Sequence, residues 1–116
     1  VIDRKLLMMA SALATRPRLL LMDEPVGGLT DKEVDRIIEA VRAISGSGVT
    51  ILLIEHVMRF LVQLSDRVLI MHHGEKIFEG PPRDLVNDST VVDVYLGKGA
   101  SDRLRSFMET REAAHG

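Results

Sequence analysis

Apolar positions recur along this chain at two periods, and the switching between them predicts the fold class. From Arg4 to Thr15, Leu6, Met9, Ala10 and Leu13 fall at helical spacing, and Pro17 stops the helix because it cannot continue the hydrogen-bond ladder. Arg18 to Met22 is a short apolar run that reads as a strand buried on both faces, with Asp23 and Glu24 at its C-terminal end. Gly27-Gly28 makes a loop, after which Thr30 and Glu33 form a capping box for a helix carrying Val34, Ile37, Ile38, Val41 and Ile44. Ser45-Gly46-Ser47-Gly48 ends that helix. The β-branched run from Val49 to Ile54 predicts a second buried strand, again closed by polar residues, Glu55 and His56.

A shorter helix follows through Leu64. Arg67 to His72 and Glu75 to Phe78 flank His73-Gly74, which predicts two strands joined by a tight turn. Pro81-Pro82 breaks the sheet, and short helices are expected near Asp84 to Asn87 and from Thr90 to Leu96. The charged tail from Gly97, with Leu104, Phe107 and Met108 among its charges, reads as a partly helical segment that either packs on a neighbour or is solvated, the solvated reading being preferred. Strands separated by helices of this length imply an α/β fold with mostly parallel core strands, right-handed crossovers and flanking helices, ending in a small C-terminal β-hairpin plus helices. Ligands of such sheets bind beyond the carboxyl ends of the strands, so Asp23-Glu24 and Glu55-His56 are expected on one edge.

Composition narrows the function classes. Hydrophobic residues at 46% and charged residues at 28% describe a chain that folds around a core rather than a disordered one. A net charge of -2 supplies no field that would gather nucleic acid, and no nucleic-acid partner is expected. The absence of cysteine removes disulfides, thiolate metal sites and thiol nucleophiles. The apolar runs Leu19 to Met22 and Val49 to Ile54 are far shorter than the roughly 20 residues that span a bilayer, so membrane association is expected to go through a partner. No secretory leader is expected at the start, and the missing initiator Met points to truncation.

Two adjacent carboxylates at the end of an apolar strand must be hydrated, paired or bound to metal. Side chains alternate along a strand, so Asp23 and Glu24 cannot serve the same place: one can face a Mg²⁺ shell while the other faces a water. Phosphoanhydride hydrolysis uses that division of labour, with the metal neutralising phosphate charge and a second group orienting the attacking water. A capped strand with solvated charges gives the same local pattern, and the run Leu19-Leu20-Leu21-Met22-Asp23-Glu24 alone does not separate the two. Glu55, Asp66, His72 and His73 also invite a metal reading, disfavoured because His72 and His73 are adjacent at a turn and expected to diverge.

The stretch Asp23-Glu24-Pro25-Val26-Gly27-Gly28-Leu29-Thr30-Asp31 closely resembles the Walker B and D-loop segment of ABC ATPases, and Ile54-Glu55-His56 resembles their switch histidine. Ser65-Asp66-Arg67-Val68-Leu69-Ile70-Met71, His73-Gly74-Glu75-Lys76-Ile77 and Gly80-Pro81 continue the likeness, which runs to Gly97. The resemblance implies the C-terminal part of a P-loop NTPase domain of the RecA-like ABC type over residues 1–97, with 98–116 as a charged tail. It implies ATP and Mg²⁺ as cofactors, Asp23 holding Mg²⁺ through water, Glu24 as general base and His56 at the γ-phosphate. By the same likeness Asp31 and Gly28 belong to the nucleotide-facing D-loop, Asp31 crossing to a second ATPase subunit. Transmembrane permease subunits, and a substrate-binding protein indirectly, are the remaining partners it implies, at the cytoplasmic face of the plasma membrane.

The family's phosphate-cradling loop, Gly-x-x-x-x-Gly-Lys-[Ser/Thr], does not occur in these 116 residues. The opening Val1-Ile2-Asp3-Arg4-Lys5-Leu6-Leu7 is similar to the tail of the ABC signature, whose Ser and Gly are lost or altered at Val1-Ile2. These residues alone are therefore expected to hydrolyse no ATP, and a sheet edge that the phosphate-loop strand fills in the family is expected to favour self-association. Glu24-Pro25-Val26-Gly27-Gly28-Leu29, Ile54-Glu55-His56-Val57-Met58 and Val92-Asp93-Val94-Tyr95-Leu96-Gly97 look most like the motors of branched-chain amino-acid importers. Urea-type importers and lipopolysaccharide-export ATPases share parts of the pattern. A DNA-repair ATPase or a non-catalytic module derived from an ABC half-domain are the rivals from other classes.

Overall fold

Thr30 starts the longest helix of the first half, and the reason is local. Its hydroxyl accepts the Glu33 amide at 3.4 Å, while the Glu33 carboxylate accepts the Thr30 amide at 2.8 Å, closing the expected capping box. That box holds the Glu33 carboxyl below its ordinary range, the Thr30 backbone amide first and its hydroxyl second. The helix runs Asp31–Gly46 and buries the stripe Val34, Ile37, Ile38, Val41 and Ile44. Burial of each such side chain contributes about 1.5–3 kcal/mol, against about 1 kcal/mol for a cap, so the stripe fixes the helix and the cap fixes where it begins.

The computed structural model describes residues 1–97 and 100–115. The expected boundary after Gly97 opens onto Lys98, which lies outside that set. The chain forms two compact units, Val1–Phe60 and the residues from Leu61 onward. In the first, α1 (Ile2–Leu13) precedes β1 (Leu19–Asp23), α2 is the helix Asp31–Gly46, and β2 (Thr50–Ile54) follows. The helix α3 (Met58–Leu64) spans the division. β1 and β2 pair in parallel, with Leu19 opposite Thr50 and Asp23 opposite Ile54, which is the parallel core the sequence predicts.

The two strands are not buried on both faces. Leu20 and Met22 are 7% and 8% exposed, but Leu19, Leu21, Leu52 and Ile54 are between 54% and 66% exposed. An all-apolar run looks the same whether one face or two is covered, because the alternation that marks a half-buried strand is erased when both faces are apolar. Nothing among the described residues covers the face that Leu19, Leu21, Leu52 and Ile54 share.

The second unit holds β3 (Val68–His72) and β4 (Glu75–Gly80), an antiparallel hairpin with a register shift between Ile70 and Met71. His73 at φ 48° and Gly74 at φ 76° make its two-residue loop, the primed turn whose twist matches that of the strands. Lys76 and Arg67 both reach the Glu79 carboxylate, at 2.8 and 2.7 Å, and their hydrogen bonds hold its carboxyl below the ordinary range. The short helix expected near Asp84 to Asn87 is a 3₁₀ helix, Pro82–Asn87, opened by Pro82. Asp88 then caps α4 (Ser89–Val91) by accepting the Val91 amide at 3.0 Å, and the chain continues as a π turn over Val92–Leu96.

The described part of the tail after Gly97 forms one helix, α5 (Ala100–His115), and it is not simply solvated. Leu104 is only 2% exposed, and the Arg111 guanidinium donates to the carbonyls of Val62 and Ser65 at 3.2 and 2.6 Å and to Asp66 at 3.3 Å. A cation on the last carbonyls of α3 satisfies acceptors that a helix C-terminus leaves open.

Candidate functional site at the ends of the parallel strands

The last residue of β1, Asp23, lies on the exposed face with Leu19 and Leu21. The next residue, Glu24, turns the chain with φ 47°, a left-handed conformation that is strained for any side chain but glycine. Its amide donates to the Ile54 carbonyl at 2.8 Å, so the parallel ladder runs one residue past the strand before the chain leaves it. Two tight turns follow, the Gly27 amide on the Glu24 carbonyl at 3.3 Å and the Leu29 amide on the Val26 carbonyl at 3.2 Å. Gly28, at φ 76° and with nothing within 4 Å of a Cβ built there, is needed for its backbone and not for lack of space.

On β2 the same alternation sends Ile51, Leu53 and Glu55 to the covered side and Leu52, Ile54 and His56 to the open side. The Glu55 side chain is fully enclosed, and its two oxygens accept different backbone amides: Oε2 that of Val26 at 3.3 Å, Oε1 that of His56 at 3.0 Å. His56 stands out in solvent, its side chain 74% exposed, with Nδ1 3.6 Å from Glu24 Oε1 and 3.4 Å from Glu55 Oε1. Beyond it, Arg59 reaches the first two turns of α2, hydrogen-bonding Asp35 and lying 3.7 Å from Asp31.

The structure thus brings Glu24 and His56 together and sets Asp23 beside them at the strand end, on neighbouring paired strands. Gly28 and Asp31 lie farther along the same loop, and the contact of Asp31 is with Arg59. Asp23 offers one exposed hard oxygen donor group, which suits Mg²⁺, a cation that keeps most of its water and phosphate ligands. Among the described residues no three His, Cys, Asp or Glu side chains converge to cage a metal. The His72 and His73 rings do not diverge; they meet edge-on with centroids 4.0 Å apart.

Sequence reasoning missed the parts played by Glu55 and Arg59. Glu55 could have been found from its parity: two and four residues after Leu53 and Ile51, it is a charged residue in an inward register and must be satisfied there. Arg59 carried no such signal, because a basic residue in the first turn of a helix reads as an ordinary solvated charge.

No family model matches the chain. The fold matches a nucleotide-free ATP-binding cassette from an ABC transporter, with TM-score 0.74 and 29% identity over 84% of this chain and 40% of that one. The chain accordingly has the α/β fold of the C-terminal part of an ABC ATP-binding cassette. Its homologues are the ATP-binding proteins of branched-chain amino acid ABC transporters: it is 34% identical over 97 residues to the high-affinity branched-chain amino acid transport ATP-binding protein BraF of Pseudomonas aeruginosa, which is 83% of this chain and 38% of BraF. The lipopolysaccharide export system ATP-binding protein LptB of Acidithiobacillus ferridurans is also 34% identical, over 95 residues, 82% of this chain and 39% of LptB. The chain spans about 38% of the length of the first of these relatives.

Proposed function

We propose that this chain forms the hydrolytic edge of an ATPase site in the motor subunit of an ABC transporter, with Glu24 as general base. The observation that carries the reading is the 3.6 Å approach of Glu24 Oε1 to His56 Nδ1 across the ends of two paired parallel strands. Glu24 is solvent-facing, so a water can sit on its free carboxylate oxygen and lose a proton to it as the phosphorus is attacked. His56, more open still, presents an imidazole N–H to the γ-phosphate, where charge grows in the transition state. Asp23 would hold a Mg²⁺ ion through water, and the ion would neutralise charge on the phosphates. Gly28 shapes the loop that carries Asp31 toward a second ATPase subunit.

The phosphate-cradling loop is not in these 116 residues, so in this reading they turn over only together with residues that supply it. Phosphate release by the ATPase-competent subunit carrying this chain tests the assignment: hydrolysis is expected from the wild type and none above background from Glu24→Gln. Equal rates from the two proteins would remove Glu24 from the base role. The isolated 116 residues are expected to release no phosphate, and the open edges of the two-stranded β1–β2 sheet favour their self-association, which light scattering reads as a mass above the 12.9 kDa monomer.

The transporter reading places the subunit at the cytoplasmic face of the plasma membrane, against permease subunits and, through them, a substrate-binding protein. No helix among the described residues is long and apolar enough to cross a membrane itself. Branched-chain amino acids are the cargo best supported, by the likeness to the branched-chain amino acid transport protein BraF and by the Tyr95-Leu96-Gly97 ending. Lipopolysaccharide export is the second reading, favoured by LptB at the same identity. Leucine uptake that is lost on deleting the protein separates them; intact uptake with defective outer-membrane lipopolysaccharide selects the second.

A further inference from the structure

The enclosed carboxylate of Glu55 has no part in the chemistry proposed for Glu24 and His56, yet it touches the backbone of both segments that carry them. One oxygen accepts the Val26 amide, two residues after Glu24, and the other accepts the amide of His56 itself. The side chain is fully enclosed, whereas Glu24 and His56 are 61% and 74% exposed. Neither exposed side chain is enclosed by packing, so their separation is set by the backbones beneath them and by the Glu55 carboxylate, whose Oε1 also lies 3.4 Å from His56 Nδ1. We propose that Glu55 is a positioning residue for ATP hydrolysis: a bidentate backbone clamp that fixes the distance between the water-activating carboxylate and the imidazole. This rests on the ATPase reading above.

Two charge-assisted hydrogen bonds from one rigidly held group define a length, which a single hydrogen bond does not. The clamp also holds the left-handed turn at Glu24, whose strain would relax if the loop after it were free to move. A displacement of about 1 Å between reacting groups costs on the order of a hundredfold in rate, and it acts on the chemical step rather than on nucleotide binding. Gln at this position fits the same space but its single oxygen accepts one amide, leaving its NH₂ against the other.

The test compares wild type, Glu55→Gln and Glu55→Ala in the ATPase-competent subunit. A fall in kcat of about tenfold for Gln and about a hundredfold for Ala, with KM for ATP within about twofold of wild type, is the expected split. Rates within twofold of wild type, or a KM that rises in step with the loss, overturn the proposal. Amide exchange at Val26 and His56, read by NMR without nucleotide, is expected to accelerate at one or both sites in the Gln variant. Unchanged exchange overturns the clamp whatever the wild-type activity, and a Gln variant that does not fold overturns it in favour of a purely structural role. A wild type that hydrolyses no ATP, with clamp-dependent exchange intact, removes the ATPase reading and its kinetic consequence alone.

Discussion

Two strands of this protein end on a side chain held in left-handed backbone, β1 at Glu24 with φ 47° and β3 at His73 with φ 48°, and the two turns are secured in opposite ways. At His73 everything needed is adjacent: Gly74 takes the second positive φ, and the strands it joins pair with each other at once. The strain there is the ordinary cost of a two-residue hairpin. At Glu24 the following residue is Pro25, no hairpin forms, and the restraints come from about thirty residues away, the Ile54 carbonyl and the Glu55 carboxylate. Strain held locally serves the turn; strain held at a distance serves what the turn presents, here a carboxylate facing an imidazole.

If that contrast is right, chemistry and stability separate between the two ends. The largest effect belongs to Glu24→Gln, expected to lower turnover by about 10²–10⁴-fold in a phosphate-release assay while leaving the melting temperature close to wild type. His56→Ala follows, with a loss of about 10²–10³-fold on removal of a transition-state donor, and the same assay done on His73→Ala is expected to show none. Equal losses at His56 and His73 would erase the distinction.

Between the two lies the cap, a local device on the site side. Thr30→Ala is expected to destabilise by about 1 kcal/mol in urea unfolding with little change in turnover. Because the Glu33 carboxyl is lowered by the same contacts, its share of stability is present above its ordinary value of 4.5 and fades as pH falls through the lowered one. Thr30→Ala keeps the backbone amide that reaches the Glu33 carboxylate and loses only the hydroxyl, so the gap to wild type should narrow in acid without closing; a gap unchanged from neutral pH to below 4.5 would mean the hydroxyl does not reach the carboxylate in solution. The smallest effect is the most direct on the turns themselves. Glycine relieves about 1–2 kcal/mol of left-handed strain but adds roughly 0.5–1 kcal/mol of unfolded-state entropy, so His73→Gly and Glu24→Gly should each stabilise slightly by urea unfolding. Only Glu24→Gly should abolish hydrolysis.

Most of the elements were legible because each carries its own period or punctuation. The stripe Val34 to Ile44, the box Thr30–Glu33 and the loop His73–Gly74 lie at the ends or along one face of what they specify. The meeting of Glu24 and His56 was legible too, since strands of one parallel sheet deliver their ends to a common edge. What escaped was relational. Leu19, Leu21, Leu52 and Ile54 read as core because no local pattern says which side of an apolar strand is covered. Leu104 read as solvated because a lone leucine among charges has no period, and nothing local marked Arg111, whose three acceptors lie 45 to 49 positions away.

The bare face of the parallel pair carries a thermal consequence. Association driven by covering Leu19, Leu21, Leu52 and Ile54 is entropic near room temperature and loses strength on cooling, since apolar hydration becomes less unfavourable in the cold. Any surface that seats on those four side chains will hold more firmly on the bench than on ice.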